Sequence, residues 1–186
     1  LYPDIENIVA ALNRGGVIIY PTDTIWGIGC DVSNTAAIKR VYEIKEREAD
    51  KPLIVLVSDL EMLKEYVDNI HPRIESLLHY HEKPLTVIYK EVRDIPEILR
   101  GKNGSVGIRI VQDDYCRNFI RKFGRPIVST SVNKSGQPAP VHFAEIEFDL
   151  LNDADYVSQH RRNDKFEAIA SKIISFNSNG KIKFLR

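Results

Sequence analysis

The sequence predicts a single α/β domain with a mixed sheet, and three observations carry that expectation. Short β-branched runs, such as Gly16-Val17-Ile18-Ile19-Tyr20 and Leu53-Ile54-Val55-Leu56-Val57, alternate with stretches whose apolar residues recur at helical spacing. The chain closes on two apolar runs that flank Asn177-Ser178-Asn179-Gly180, a hairpin signal that adds antiparallel pairing to the alternating pattern. No internal repeat, low-complexity segment or linker divides the chain, so residues 1–186 are read as one domain.

Behind Pro3 and Asp4, Ile5, Ile8, Val9 and Leu12 predict an amphipathic helix over 4–13. Gly15-Gly16 ends it and starts the first strand, which Pro21 stops because it has no N–H for a ladder. The stretch Thr22-Asp23-Thr24-Ile25-Trp26-Gly27-Ile28-Gly29-Cys30-Asp31 reads as a loop leaving that strand. Such a loop is where α/β sheets place ligands, or else a plain strand-to-helix connection. Ser33-Asn34-Thr35 supplies caps for a second helix carrying Ala37, Ile38, Val41, Tyr42 and Ile44. Pro52 bars helix from its predecessor and begins the continuously apolar strand 53–57, expected to be covered on both faces. Ser58 with Glu61 predicts a capping box for a third helix, and His71-Pro72 opens a fourth with Ile74, Leu77 and Leu78 inward.

Leu85-Thr86-Val87-Ile88-Tyr89 is a further strand, Ile95 to Leu99 a helical turn ended by Gly101, and 105–111 a strand with Arg109 inside an apolar stretch. Asp113 starts a helix through Tyr115, Cys116, Phe119 and Ile120, closed by Gly124. Pro126-Ile127-Val128 runs into Ser129-Thr130-Ser131-Val132-Asn133 and then a flexible loop to Pro140. Phe143, Ile146 and Leu150 predict a helix, and Gln159 to Lys165 a polar loop.

At 186 residues, 43% hydrophobic and 28% charged, the composition is that of an ordinary soluble globular chain. A formal net charge of +0 supplies no global field toward nucleic acid or membrane. Cys30 and Cys116 are too few for a disulfide framework and fit a reducing cytoplasm. No apolar run approaches the roughly 18 residues of a membrane helix, and Asp4 and Glu6 stand where a signal peptide would be basic. The chain begins at Leu1, without an initiator methionine.

Polar groups gather where the strands end: Thr22, Asp23 and Thr24; Lys45, Arg47 and Lys51; Arg109; and Ser129 to Asn133. Singly each has a plain reading. The three cations complement a helix C-terminus, Arg109 is a satisfied structural arginine, and the hydroxyls are a polar strand end. Together they describe a cleft for a polyphosphate or carboxylate, which asks for hydroxyls, backbone donors and paired cations. No G-x-x-x-x-G-K-[ST], no G-x-G-x-x-G after a strand and no G-x-S-x-G occurs, and the five histidines share no zinc motif. His79 and His81 around Tyr80 read as a surface pair or a metal clip, and Arg121-Lys122 and Arg161-Arg162 as solvated faces.

These residues also form a recognisable set. Tyr20-Pro21-Thr22-Asp23-Thr24 with Gly27-Ile28-Gly29 resembles the PTET-x-x-G-L-G opening of the YrdC family of L-threonylcarbamoyladenylate synthases. The resemblance continues, in family order, through Lys45-Glu46-Arg47, Lys51-Pro52-Leu53-Ile54, Lys83-Pro84-Leu85-Thr86, Ser105-Val106-Gly107-Ile108-Arg109 and 126–136. It implies a twisted open sheet with flanking helices around a central basic cleft. It implies that L-threonine, bicarbonate and ATP give threonylcarbamoyl-AMP and pyrophosphate, with Mg²⁺ carried by the ATP. A partner transferase would then modify tRNA.

Carried over by position, Thr24, Arg109, Ser129 and Ser171 would hold threonine. Arg47, Lys51, Ser105, Ser131, Ala139 and Arg186 would hold ATP, and Lys45, Arg47, Ser131 and Asn133 match the family's K-x-R/S-x-N tetrad. Leu56 departs from a common His, Val111-Gln112 from Val-Pro, Val132 from Ala and Lys172 from Ser or Thr. Ending at Arg186, the chain resembles the single-domain form. A non-catalytic module that binds double-stranded RNA or tRNA in the same cleft is the alternative, although confinement of the cations to motif ends favours a small ligand. A sugar-phosphate enzyme would need an acidic pair where Asp23 stands alone.

Overall fold

In the computed structural model, which describes residues 4–48, 50–164 and 171–185, the chain opens with helix α1, Ile5–Asn13. Gly15, at φ +76°, turns it into strand β1, Ile18–Tyr20. Asp4 does not cap α1 with its side chain. Its buried carboxylate accepts from the hydroxyls of Tyr115 (2.9 Å) and Ser158 (2.8 Å) and from the Gln159 N–H (2.7 Å).

The stretch after Pro21 is not a loop into a helix. After a tight turn, Gly27–Asp31 forms strand β2, fully buried and antiparallel to β1. The glycines that suggested loop serve close approach: a Cβ on Gly29 would lie 1.9 Å from the Val128 carbonyl oxygen. Helix α2, Thr35–Ile44, starts as expected, with Asn34 Oδ1 accepting from the Ala37 N–H at 3.0 Å.

Strand β3, Ile54–Val57, leads to helix α3, Leu60–Tyr66. Here the expected cap is displaced by one residue. Asp59 accepts the Met62 N–H (2.9 Å), and the Ser58 hydroxyl instead donates to Asp59. Helix α4, Pro72–Tyr80, is capped by His71, whose Nδ1 accepts from the Arg73 N–H. Strand β4 is Leu85–Tyr89 and β5 is Val106–Ile110. Helix α5, Asp114–Phe123, is capped by Asp113 and ended by left-handed Gly124, and strand β6 is Ile127–Ser131.

The single helix expected over Phe143, Ile146 and Leu150 is divided. A 3₁₀ turn, Phe143–Glu145, is separated from helix α6, Phe148–Asp153, by extended backbone at Ile146, and the Phe143 ring packs 4.9 Å from Trp26. Strand β7, Tyr156–Val157, is too short to show a period. The C-terminal hairpin is as expected, with β8, Lys172–Phe176, and β9, Ile182–Phe184, joined through Gly180 at φ +70°.

The described strands form one mixed sheet in the order β7-β1-β2-β6-β3-β5-β4-β8-β9. The pairs β1/β7, β3/β5 and β4/β8 are parallel and the others antiparallel. Side chains alternate between faces, and the alternation separates two cores. Val55, Val57, Val87, Ile108, Val128 and Ile174 pack with α2, α3 and α4 on one face. Ile18, Tyr20, Leu56, Val111 and Ile127 pack on the other beneath α1 and α5, which pack against each other. Those two helices cover only one end of their face. Beyond them it carries Gly27, Ile54, Thr86, Gly107, Arg109, Ser129 and Ile173, and a cleft opens there.

Candidate active site

The cleft encloses about 450 Å³ and is lined by Thr22, Thr24, Ile25, Gly27, Arg47, Pro52, Leu53, Ile54, Arg109, Ser129, Thr130, Ser131, Ala139, Ser171 and Ile173. Arg109 anchors it from β5, flanked in register by Leu56 on β3 and Thr86 on β4, and is only 3% exposed. Its Nη1 donates to Thr24 Oγ1 (3.3 Å) and its Nη2 lies 3.3 Å from Asp23 Oδ1. Asp23 also accepts the Gln112 N–H at 3.1 Å. The Arg109 Nε, also buried, has no partner among the described residues. A guanidinium held in place by Thr24 and Asp23 at the wall of a cavity is a fixed planar cation, which suits the charge and shape of a carboxylate or phosphate.

The hydroxyls around it are held by short-range bonds. Thr22 Oγ1 accepts the N–H groups of Thr24 (3.0 Å) and Ile25 (3.2 Å) and donates to the Ile25 carbonyl (2.7 Å), closing the β1–β2 turn and setting Thr24 at the cleft wall. Ser129 Oγ accepts from the Tyr20 hydroxyl at 2.7 Å. Thr86 and Ser171 share a buried hydroxyl contact of 3.2 Å at the opposite wall. Leu56, fully buried in the core beneath α1 and α5, supplies packing beside Arg109.

The basic segment after α2 divides its cations. Glu46 takes φ +49° and the chain doubles back, so Lys45 and Arg47 diverge. Arg47 reaches the cleft, its Nε donating to the Lys51 carbonyl (2.9 Å) and its Nη2 to that of Pro52 (3.4 Å). Lys45 is 1% exposed and donates from Nζ to the carbonyl oxygens of Ser131 and Asn133. Burial, helped by the Arg47 charge, pushes its pKa down to about 8. It stands behind the cleft and fixes the wall that carries Ser131.

Asn133 turns away as well, its Nδ2 donating to the carbonyls of Lys134 (3.0 Å) and Gln137 (2.8 Å). Lys51 is exposed and pairs with Glu48 at 2.8 Å. Ser105 lines a separate cavity with Ile88, Lys90, Ser175 and Lys183, and donates to Asn103 Oδ1 at 2.6 Å. Arg186 lies outside the described residues. The structure thus brings Thr24, Arg47, Arg109, Ser129, Ser131, Ala139 and Ser171 to one cleft and leaves Lys45, Asn133, Lys51 and Ser105 around it. Thr22 and Asp23, which the sequence offered in the polar cluster but not as ligand contacts, act as supports; Tyr20, also a support, was not singled out and sits where an apolar strand position was expected.

Burial pushes the thiols of Cys30 and Cys116 well up, so both stay protonated. His81 Nδ1 lies 2.6 Å from the Lys83 carbonyl oxygen, and the His79 ring packs edge-on against Tyr80. Among the described residues, no three His, Cys, Asp or Glu side chains gather as a metal site, and no helix is long and apolar enough to cross a membrane.

An open mixed α/β sheet carries, beside one end of its helix cover, a buried guanidinium and converging hydroxyls, a set of donors whose chemistry suits a small anionic ligand. The chain belongs to the Sua5/YciO/YrdC family, whose model, described as telomere recombination, matches residues 10–186. It is 34% identical over 158 residues to a threonylcarbamoyl-AMP synthase of Xanthomonas campestris pv. campestris, spanning 83% of this chain and 84% of that protein. It is 35% identical over 155 residues to one of Vibrio cholerae, spanning 82% of each. Among solved structures, P. abyssi Sua5 complexed with L-threonine superposes with a TM-score of 0.86 at 25% identity, covering 98% of this chain and 53% of that one. This chain therefore spans about half the length of that protein. E. coli YciO shares the fold, with a TM-score of 0.83 at 22% identity, covering 98% of this chain and 87% of the other.

Proposed function

We propose that this chain, acting as one domain, is an L-threonylcarbamoyladenylate synthase of the nucleotidyltransferase class. Its substrates would be L-threonine, bicarbonate and ATP, its products threonylcarbamoyl-AMP and pyrophosphate. The observation that carries this reading is Arg109: a buried cation on an inner strand, its Nε unpartnered, beside a cleft lined with hydroxyls. The relatives named threonylcarbamoyl-AMP synthase and the threonine complex of P. abyssi Sua5 support the catalytic reading over an RNA-binding module.

In this reading, Arg109 pairs with the carboxylate of threonine while Thr24, Ser129 and Ser171 supply hydroxyls around it. Threonine and bicarbonate condense to a carbamate with loss of water. A carbamate oxygen attacks the α-phosphorus of ATP, and the bond from that phosphorus to the bridging oxygen breaks, releasing pyrophosphate. Charge grows on phosphate oxygens, and Arg47 with the Ser131 hydroxyl and the backbone near Ala139 stands where fixed donors stabilise it without reorganising. Lys45 and Asn133 act one layer back, holding the 131–137 backbone in shape. Lys51 and Ser105 are outer ATP contacts, and Arg186, outside the described residues, is assigned to ATP by the family resemblance alone. The cleft's donors are hydroxyls and guanidinium, and Asp23 is committed to Arg109 and Gln112, so Mg²⁺ would arrive on the ATP phosphates. The product would pass in the cytoplasm to a transferase acting on tRNA, with direct tRNA contact part of the hand-over.

Pyrophosphate release tests the proposal. It is expected to require L-threonine, bicarbonate and ATP together, and to fall about 100-fold in Arg47→Ala, the scale of one lost electrostatic donor. Release that ignores threonine would overturn it.

A further inference from the structure

We propose that Tyr20 is a positioning residue for the amino-acid subsite: it crosses strand β2 to take the acceptor side of Ser129 and so turns the serine's own proton into the cleft. The inference rests on the synthase reading above and extends it to a residue that does not line the cleft.

Tyr20 is the last residue of β1 and is fully buried. Its register partner on β2 is Gly27, and Gly29 on β2 is in turn opposite Ser129 on β6. A Cβ on Gly27 would meet the Tyr20 ring at 3.4 Å and Ser129 Oγ at 3.3 Å, and one on Gly29 would meet the Tyr20 hydroxyl at 3.3 Å. The two glycines therefore leave a channel over β2 through which the phenol reaches β6. The ring is locked from behind by edge-on packing against Phe119, with centroids 5.3 Å apart at 77°.

The proton count follows from this geometry. Burial drives the phenol pKa far above its ordinary value, so Tyr20 keeps its proton and donates it to Ser129 at 2.7 Å. A hydroxyl has one proton to give, and that of Ser129 meets no acceptor among the described residues. Ser129 lines the cleft with Arg109 and Thr24, so its proton is offered to whatever anion Arg109 holds. Without Tyr20, the serine hydroxyl would be free to rotate, and part of its population would point away from the substrate.

The test is a double-mutant cycle on the full chain, with Tyr20→Phe keeping the ring and Ser129→Ala removing the group it positions. Tyr20→Phe is expected to raise the KM for L-threonine about tenfold, the scale of one hydrogen bond. Its kcat and its KM for ATP should stay within about twofold, which a general loss of packing would not produce. In the Ser129→Ala background the same change should have no further effect on the threonine KM. An unchanged threonine KM in Tyr20→Phe, or effects that add in the double variant, would overturn the role of Tyr20 while leaving the synthase reading intact. A wild type that releases no threonine-dependent pyrophosphate would overturn both.

Discussion

Arg109→Lys is expected to raise the KM for L-threonine about 10- to 100-fold while the protein stays folded. The lysine keeps a positive charge near Asp23, which lies 3.3 Å from the arginine and is itself buried. It loses the planar fork, and with it the Nε donor that has no partner among the described residues. The KM for ATP should change by less than about threefold, because Arg109 and Arg47 stand in different parts of the cleft wall. Arg109→Gln makes the complementary point. It leaves the Asp23 carboxylate buried without its cation, which costs about 3–5 kcal/mol, so this variant should melt well below the wild type whatever its activity. Steady-state kinetics in each substrate, with a thermal melt for each variant, separates the two effects. A threonine KM unmoved in a folded Arg109→Lys protein would place the carboxylate elsewhere.

Lys45→Met is expected to lose both stability and activity although residue 45 does not line the cleft. The Lys45 ammonium bridges the carbonyl oxygens of Ser131 and Asn133; the Ser131 oxygen also accepts the Asn133 N–H at 3.0 Å, whereas that of Asn133 takes no backbone N–H among the described residues. Leaving two carbonyls short of a strong donor should cost about 2 kcal/mol, or a fall of about 4–8 °C in Tm for a chain of this size. Activity should fall by more than about tenfold as Ser131 loses its fixed position.

The pH dependence identifies the cause. The folded-state pKa of Lys45 is lowered to about 8. Above that pH the folded protein releases a proton that the unfolded chain keeps until about 10.4. The unfolded state then binds more protons, so wild-type stability gains from Lys45 as pH rises from about 8 toward 10.4. Below about pH 8 the cost of burying the cation is present in full. The Tm gap between wild type and Lys45→Met should widen across that window; a gap independent of pH would mean that Lys45 is not buried as a cation.

Much of the frame was legible because local chemistry and tertiary structure agree. Asn34 and Asp113 cap the helices they precede, Gly124 ends α5, and the 53–57 run divides Leu56 from Val55 and Val57 between two cores. Strand β2 was illegible because Gly27 and Gly29 look like loop residues. Their value is the absence of a side chain opposite Val128 and Tyr20, which is a tertiary fact. In the site, a charge inside an apolar strand marked Arg109, and hydroxyls after a strand marked Ser129 and Ser131. Lys45 was legible as important but not as a backbone staple, because the turn at Glu46 that sends it away from Arg47 carries no signal in residue type. Tyr20 was hidden for the opposite reason: an aromatic at a strand end reads as core, and its hydroxyl takes on meaning only once β6 lies beside β2.

The proposed function has this cleft join threonine, bicarbonate and ATP into one product. Its most direct test is mass spectrometry of the reaction with isotopically labelled bicarbonate. The expected product is an AMP adduct that contains threonine and carries the label, formed in step with pyrophosphate and lost in Arg109→Lys at low threonine. An adenylate that forms without the label, or ATP turned over with threonine absent, would contradict it.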